Sequence, residues 1–159
     1  MVTIAQAARD FLDCKRIAVT GVSRTPGSHG GNVVYDRLVE RGFDVFPVNP
    51  NATEIGGKPA YPTLSAIPGG VEAVVIATAP GHALDTMKEA ADLGVRHVWM
   101  HRSIDAGSVS PEATAYGREH GIQVIDGGCP LMFDPASDGG HKFMCRLLTL
   151  FGRMPRTVA

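Results

Sequence analysis

The sequence predicts an α/β fold in which a doubly wound parallel sheet lies between two layers of helices. Short, wholly apolar runs such as residues 73–77 are typical of strands that are covered on both faces. Amphipathic segments of about ten residues separate these runs, so strands and helices alternate along the chain. At residues 16–23 an apolar run leads into a turn of small residues, and a loop and a helix-like segment follow. That order is typical of a phosphate cradle, and the predicted architecture is therefore three-layered and Rossmann-like.

The amino-terminal third of the chain contains clear start and stop signals. Thr3 followed by Gln6 is typical of a capping box, and the apolar residues after it recur at helical spacing. We expect this first helix to end near Cys14. A strand over residues 16–21 and a helix over about residues 31–41 follow.

A connection rich in proline and glycine follows the second predicted strand, which covers Asp44–Val48. Within residues 49–70 we expect a short edge strand near Ala60 and Tyr61 and a helical turn near Ser65. The alternative is a linker between two domains, but it would leave too short a segment on its amino side to form a domain.

The remaining elements are predicted from the same patterns. Ser110 is placed as an N-cap, because a proline and an acidic residue follow it directly. Further strands are expected at residues 73–77, 97–100 and 122–125, and further helices at residues 82–93 and 110–121. A last helix begins near Gly139. Its predicted apolar face consists of Met144, Leu147, Leu148 and Phe151.

Length and composition predict one globular domain over residues 1–159, with the helical tail beginning near residue 139. The chain has 15 basic and 16 acidic residues and a formal net charge of −1, which argues against a nucleic-acid partner. No stretch approaches the roughly 18 apolar residues of a membrane-spanning helix, so we expect no membrane partner. Three scattered cysteines do not suggest a disulfide framework, and we expect a cytoplasmic protein.

The loop after the first strand lacks the dinucleotide-binding fingerprint. That fingerprint would read G-x-G-x-x-G, with an acidic residue about 20 positions later for the ribose hydroxyls. Here Ser23 replaces the second glycine, and the second strand ends in Val48-Asn49-Pro50 without a carboxylate. The residues therefore predict a nucleotide-type site that is not built as an ordinary NAD site.

Three loops are expected to meet at the carboxyl edge of the sheet, where ligands bind in such folds. Gly21 permits a close backbone approach, Ser23 offers a hydroxyl, and Arg24 offers a charged fork of donors to a phosphate. Asn49 and Pro50 would form a flat wall that carries one amide. At each position the alternative is an ordinary turn without a ligand. The candidate binding residues are Gly21, Val22, Ser23, Arg24, Val48, Asn49, Pro50, Thr78, Ala79 and Pro80.

The cysteines allow two chemical interpretations and one plain one. Cys129 could form a thiol–imidazole pair with His101. Cys129, His141 and Cys145 could instead chelate zinc, because His141 and Cys145 lie four residues apart on a predicted helix. In the plain interpretation Cys129 is a small buried hydrophobe. We adopt the plain interpretation and predict neither catalytic residues nor a metal site.

Several segments together resemble the small stand-alone coenzyme A-binding domain proteins, which are related to the nucleotide domain of succinyl-CoA synthetase. The V-N-P that ends the second strand, joined to G-x-x-x-Y-P-x-L, is the most specific of these segments. The resemblance extends over roughly residues 4–150. The matching segments are residues 18–23, 42–50, 55–64, 98–100 and 128–130.

The resemblance implies where each part of the ligand would lie. The diphosphate would lie on the loop of residues 21–23 and the following helix, and the adenine among residues 48–50 and 78–80. Lys58 could reach the 3′-phosphate, which agrees with the missing acidic residue. His101-Arg102-Ser103 departs from the Gln-x-Gly that the family commonly has, so a contact from that loop is not carried over.

Together these observations predict a protein that binds coenzyme A or an acyl-CoA through its ADP moiety, without catalysis of its own. One alternative is an NADP-linked oxidoreductase or an acyl-CoA-dependent enzyme, because Arg24 and Lys58 could serve a 2′-phosphate as readily as a 3′-phosphate. Another alternative is a protein-interaction module whose carboxy-terminal helix binds a partner or a second copy, which leaves a homo-oligomer open.

Overall fold

A five-stranded parallel sheet forms the middle layer of the part of the chain that the structure describes. The computed structural model describes residues 1–27, 30–102, 107–152, 154 and 156–158. In chain order the elements are β1 (Val2–Thr3), α1 (Ile4–Asp13), β2 (Arg16–Thr20), α2 (Gly30–Glu40), β3 (Asp44–Val48), β4 (Glu54–Ile55), β5 (Lys58–Pro59), β6 (Ala73–Ile76), α3 (Ala83–Asp92), β7 (His97–Met100), α4 (Pro111–Glu119), β8 (Gln123–Asp126), α5 (Gly139–Leu150) and β9 (Thr157–Val158).

The sheet has the strand order β3-β2-β6-β7-β8, and neighbouring strands are parallel. After β2 the chain adds β3 on one side and then crosses to β6 on the other side. The loops that follow β2 and β6 therefore leave toward opposite faces, and a crevice opens between them at the carboxyl edge. The predicted doubly wound fold is confirmed, with its switch point between β2 and β6.

Apolar side chains cover both faces of the sheet. Ile17 and Val19 face a core that includes residues of α1, α2 and α5, and in this core Phe11 packs edge-to-face on Trp99 at 5.4 Å between ring centroids. Ala18 faces the opposite core, which includes residues of α3 and α4. Successive side chains of one strand thus point to different helix layers, as the period of two requires.

Two predicted helix starts are confirmed by hydrogen bonds. The Thr3 Oγ1 accepts a hydrogen bond from the Gln6 N–H at 3.2 Å, and the Ser110 Oγ accepts one from the Ala113 N–H at 3.3 Å. The capping box at Thr3 is only half formed, because the Gln6 side chain donates to Asp10 at 2.8 Å instead of turning back. A carboxylate one helical turn ahead competes successfully for that amide.

The connection after β3 differs from the prediction. Strands β4 and β5 form a short antiparallel hairpin, whereas Tyr61 makes a single parallel bridge to Val48. The edge strand is so short because prolines at positions 59 and 62 cannot donate to a ladder. A single turn forms at the position expected near Ser65, closed by a hydrogen bond from the Ile67 N–H to the Leu64 carbonyl at 3.2 Å, and it does not continue into a helix.

The two chain ends differ from the prediction as well. Strand β1 pairs antiparallel with β9, a contact that no local pattern in the chain predicts. The predicted apolar face of α5 is wrong in part: Leu148 is buried and Met144 packs on the core, but Leu147 and Phe151 are 40% and 67% exposed. Apolar residues lie on most sides of α5, and the helix can turn only one side to the core.

No helix in the described part of the chain is both long and apolar enough to cross a membrane.

Candidate functional site

A cavity of about 700 Å³ opens at the carboxyl edge of the sheet, in the crevice between the loops after β2 and β6. The end of β3 and the start of α3 form its other walls. Pro80 belongs to the exposed 3-10 turn that leads into α3 rather than to the cavity wall. The predicted residues that line the cavity are Gly21, Val22, Ser23, Val48, Asn49, Pro50, Thr78 and Ala79.

Gly21 lies where two neighbouring segments approach its backbone closely. Its φ angle is +72°, a left-handed conformation that favours glycine. A Cβ atom at Gly21 would lie 2.5 Å from the carbonyl oxygen of Ala77, and one at Gly31 would lie 2.8 Å from the carbonyl oxygen of Gly21. Both the loop after β6 and the first turn of α2 therefore depend on glycine to reach the end of β2.

A buried asparagine that the sequence analysis did not single out holds the loop after β2. Asn32, in the first turn of α2, accepts a hydrogen bond from the Ser23 N–H at 2.9 Å and donates to the Ser23 carbonyl at 2.8 Å. The Ser23 Oγ accepts a hydrogen bond from the Thr25 N–H at 3.1 Å. The Ser23 amide is thus engaged inside the protein, and its hydroxyl hydrogen is the group that it can offer to a ligand.

Side-chain hydrogen bonds also tie the three loops to one another. The Asn49 side-chain amide donates to the Val22 carbonyl at 2.8 Å, and its oxygen accepts from the Asn51 N–H at 2.8 Å. The buried Thr20 hydroxyl accepts from the Ala77 N–H at 3.2 Å. Asn49 therefore links β3 to the loop after β2 instead of presenting a free amide, and the cavity walls are fixed before a ligand arrives.

The start of α3 contributes a wall that the sequence analysis missed. Asp85 and Glu89 are the carboxylates of this wall; Asp85 is exposed, and the Glu89 Oε1 accepts a hydrogen bond from the Ser65 N–H at 3.0 Å. The residues of this wall are His82, Asp85, Thr86 and Glu89. Their spacing of three and four residues places them on one side of a helix that directly follows a central strand, and that spacing was the available signal.

A second cavity of about 340 Å³ adjoins the first at Ser23, which lines both. Arg24, from the loop after β2, and Lys58, from the hairpin of β4 and β5, bring two positive charges to it. Tyr35 also lines it and is 5% exposed, and its Oη has no hydrogen-bond partner among the described residues. Burial raises the pKa of this phenol. The carboxylates that line the same cavity are Asp36 and Glu40.

The environment of Cys129 does not suit nucleophilic chemistry. Its side chain is buried, and burial raises the pKa of the thiol from 9.0 to about 12. A reactive cysteine needs a lowered pKa, so the thiol–imidazole pair with His101 does not fit. The His101 ring instead lies beside the start of α2, where a Cβ atom at Gly30 would come within 2.9 Å of its Cε1. Ser103, in the same loop, lies outside the described residues.

The structure does not bring the zinc candidates Cys129, His141 and Cys145 together as a group of ligands. In the described part of the chain, no group of three histidine, cysteine, aspartate or glutamate side chains is placed to hold a metal ion. The His141 ring pairs with the Asp138 carboxylate at 2.9 Å, next to the helix start that Asp138 caps. The four-residue spacing of His141 and Cys145 therefore reflects helix geometry alone.

The switch-point cavity and its glycine-supported loop define a class, the nucleotide-binding α/β proteins with a doubly wound sheet. A family model described as the CoA binding domain matches residues 15–135. The chain belongs to this family and is a coenzyme A-binding domain with a Rossmann-like fold, as the sequence predicted.

Similar proteins include parts of larger enzymes. An ADP-forming acetate–CoA ligase II from Archaeoglobus fulgidus is 38% identical over 90 residues, which are 55% of this chain and 13% of that protein. A trans-feruloyl-CoA synthase from an unknown prokaryotic organism is 30% identical over 125 residues, which are 74% of this chain and 17% of that protein. This chain thus matches only a small part of either relative.

A solved structure of similar size shows the same fold. A hypothetical protein from Pyrococcus horikoshii OT3 superposes with a TM-score of 0.73 at 29% sequence identity. The superposition covers 80% of this chain and 87% of that protein. The common fold therefore includes most of both chains.

Proposed function

We propose that residues 1–159 act as one domain that binds coenzyme A, or an acyl-CoA, through its 3′-phosphorylated ADP moiety and catalyses no reaction of its own. The single observation that supports this best is the pair of cavities that adjoin at Ser23. One is large and combines apolar and hydroxyl groups with carboxylates at its α3 wall, and the other carries Arg24 and Lys58 beside two carboxylates. Their arrangement corresponds to a nucleotide that carries one additional phosphate.

The diphosphate binds at the loop after β2 and the start of α2. The backbone of Gly21 is in contact with the first turn of α2, so this helix begins beside the loop. The N–H groups at a helix start and the helix dipole favour an anion. The Ser23 hydroxyl adds a donor, whereas the Ser23 amide does not, because Asn32 already accepts its hydrogen bond.

The adenosine occupies the larger cavity between β3 and the loop after β6. Val48 and Pro50 supply apolar surface on one side, and Thr78 and Ala79 form the opposite side. Pro80 does not line this cavity, so its contribution is to direct the chain into α3. A flat aromatic base suits a slot with apolar walls.

The 3′-phosphate binds in the second cavity between Arg24 and Lys58. A phosphomonoester carries more charge than a diester, and two cations from different loops can enclose it. Asp36 and Glu40 line the same cavity, and Glu40 is paired with Arg37 at 3.1 Å. The phosphate must therefore lie against Arg24 and Lys58 rather than against these carboxylates. A 2′-phosphate presents similar chemistry, and NADP is therefore the ligand against which this proposal must be tested.

A calorimetric panel tests the binding mode. Coenzyme A, acetyl-CoA and adenosine 3′,5′-bisphosphate should bind, dephospho-coenzyme A should bind about tenfold more weakly, and pantetheine should not compete. Acetyl-CoA incubated with an equimolar amount of protein should remain intact when analysed by mass spectrometry. Tight binding of NADP together with weak binding of every coenzyme A species would refute the assignment in favour of the oxidoreductase alternative.

A second candidate function, association through the carboxy-terminal helix, has an observation of its own. Large apolar side chains are exposed along one side of α5 and its C-cap, with exposed fractions of 40–80%. They recur at helical spacing and are Phe143, Leu147, Leu150 and Phe151. An exposed contiguous apolar patch is typical of an interaction surface. A partner or a second copy on α5 is compatible with ligand binding at the sheet edge, and a cytoplasmic location also remains a prediction.

A further inference from the structure

The larger cavity is chemically different at its two ends. One end is formed by the loop after β2, where Gly21 and the Ser23 hydroxyl line the wall and the first turn of α2 packs against Gly21 from behind. The other end is formed by α3, where Asp85 and Glu89 line the wall. Two carboxylates without a cation beside them in the described cavity lining disfavour a phosphate, so the lining favours a ligand with its phosphates at the loop and its base toward α3.

The two carboxylates are arranged to face one ligand group together. Asp85 and Glu89 lie four residues apart, one turn along the same helix face. The hydrogen bond from the Ser65 N–H holds the Glu89 carboxylate through Oε1, which leaves Oε2 as an acceptor. Asp85 is exposed, so its carboxylate can turn toward a bound base without disturbing the core.

Between these ends the cavity offers apolar surface against which a flat ring can pack. Its apolar walls come from Val48, Pro50, Pro62 and Leu64. Thr78 lines the same cavity, and its Oγ1 is buried without a hydrogen-bond partner among the described residues. A buried hydroxyl is rarely left unpaired, which points to a polar ligand atom beside it.

We propose that Asp85 and Glu89 are specificity-determining residues that accept a hydrogen bond from the exocyclic amine of the adenine. This inference rests on the proposed binding of coenzyme A through its ADP moiety. Adenine offers apolar faces to the cavity walls and an N–H donor on its edge, which is what carboxylates require of a ligand group that lies against them. Neither residue is placed at the phosphates, so the hydrogen bond that they accept contributes to recognition of the base, while their charge acts on any phosphorylated ligand alike.

A comparison of two ligands tests the contact directly. Coenzyme A and 1,N6-etheno-coenzyme A carry the same phosphates, but the second lacks the amine hydrogens. The wild-type protein should bind coenzyme A about tenfold more tightly than the etheno derivative, because a hydrogen bond to a charged group is lost. In Asp85→Ala, and further in Asp85→Ala/Glu89→Ala, this ratio should fall to about twofold or less.

The ratio of the two affinities distinguishes the loss of the hydrogen bond to the amine from the general effect of removing negative charge. Removal of negative charges strengthens the binding of both ligands alike, so the absolute affinities shift together while the ratio reports the amine contact. Asp92→Ala is the matched control, because Asp92 is on α3 but does not line the cavity. That variant should keep the wild-type ratio. Thermal unfolding of each variant shows that a changed ratio does not reflect a damaged fold.

Two results would overturn the inference, and they are distinguishable. If the wild-type protein binds coenzyme A but binds the etheno derivative equally well, or if the double variant keeps the full ratio, the carboxylates do not read the amine and the proposed function still stands. If the wild-type protein binds neither ligand, the proposed function fails and this inference fails with it.

Discussion

The sheet edge and the carboxy-terminal helix of this protein are opposite kinds of surface. At the sheet edge the loops enclose a cavity with apolar and polar walls, and their backbone groups are held by Thr20, Asn32 and Asn49. On α5 the surface is convex, and Phe143 and Leu150 are 69% and 80% exposed. The first surface suits a small polar ligand, and the second suits a flat apolar partner.

The two regions also differ in their relation to the family. The family model ends at residue 135, and α5 begins at Gly139. The cavity residues thus lie within the part of the chain that the family shares, whereas the exposed apolar stripe lies beyond it. The difference teaches that ligand binding can be inferred from the family, while any association through α5 has to be tested on this chain.

The largest expected effect is on the free energy of unfolding, and it distinguishes the buried side of α5 from the exposed side. Leu148→Asp should destabilise the protein by about 4 kcal/mol, because it places a carboxylate in the core. Leu147→Asp should change the free energy of unfolding by no more than about 0.5 kcal/mol, since Leu147 is 40% exposed. Urea denaturation measures both values.

The same helix variants test association when their mass in solution is measured. If α5 joins two copies, Leu147→Asp combined with Phe151→Asp should convert a dimer into a folded monomer in light scattering. A wild-type protein that is already monomeric would exclude self-association, and a large loss of stability in Leu147→Asp would contradict the exposed position.

The second largest effect is expected at Gly21, where the loop after β6 approaches the end of β2 closely. Gly21→Ala should destabilise the protein by about 2–3 kcal/mol more than Gly27→Ala and should abolish detectable binding of coenzyme A. Both glycines have a left-handed φ angle, +72° and +69°, but only the Cβ atom at Gly21 meets backbone, 2.5 Å from the Ala77 oxygen. Chemical denaturation compares the two variants. Equal losses would mean that the contact with Ala77 relaxes.

A smaller effect is expected at the second cavity. Lys58→Ala should weaken binding of coenzyme A about tenfold and leave binding of dephospho-coenzyme A unchanged, because only the first ligand has a 3′-phosphate. Lys88→Ala is the matched control. Lys88 is on α3, its ammonium group lies near the Tyr116 ring of α4, and it lines neither cavity. Calorimetry with both ligands checks this. An equal loss for both ligands would place Lys58 away from the 3′-phosphate.

The smallest expected effect is a pH dependence of the free energy of unfolding, caused by the buried thiol of Cys129 in the core beneath α5. Cys129 shares a core with Leu148 and Met154, and burial raises its pKa from 9.0 to about 12. Between these values the unfolded chain loses the thiol proton while the folded chain keeps it, so stability falls as the pH rises above about 9. From pH 8 to pH 10 this thiol should contribute a loss of about 1 kcal/mol.

The Cys129→Ala variant isolates that contribution. Cys14, whose pKa burial raises to about 11, contributes equally to both proteins and cancels in the comparison. Urea denaturation at pH 8 and pH 10 should therefore show a smaller loss in the variant than in the wild type. Identical losses, or rapid labelling of Cys129 by a thiol reagent at pH 8, would show that the thiol is accessible.

Local signals in the chain were sufficient to predict most of the elements and much of the cavity lining. Ser110 and Thr3 were found as N-caps because their hydrogen bonds span only three residues. Gly21 was found because a glycine at the end of a strand is visible in the sequence. Arg24 and Lys58 were expected to serve a phosphate, but their position in a second cavity was not predicted, since it depends on how the hairpin of β4 and β5 packs.

The sequence by itself determined the alternation of strands and helices, the doubly wound class and the family, because these depend on periodicity and on contiguous motifs. Only the tertiary structure decided that Asn32 accepts the hydrogen bond of the Ser23 amide and that Asp85 and Glu89 line the cavity. It also decided that α5 buries Leu148 and exposes Leu147. Each of these outcomes depends on how separate elements pack against one another. Such packing is set by the twist of the sheet and by the competition between apolar surfaces, which no local pattern records.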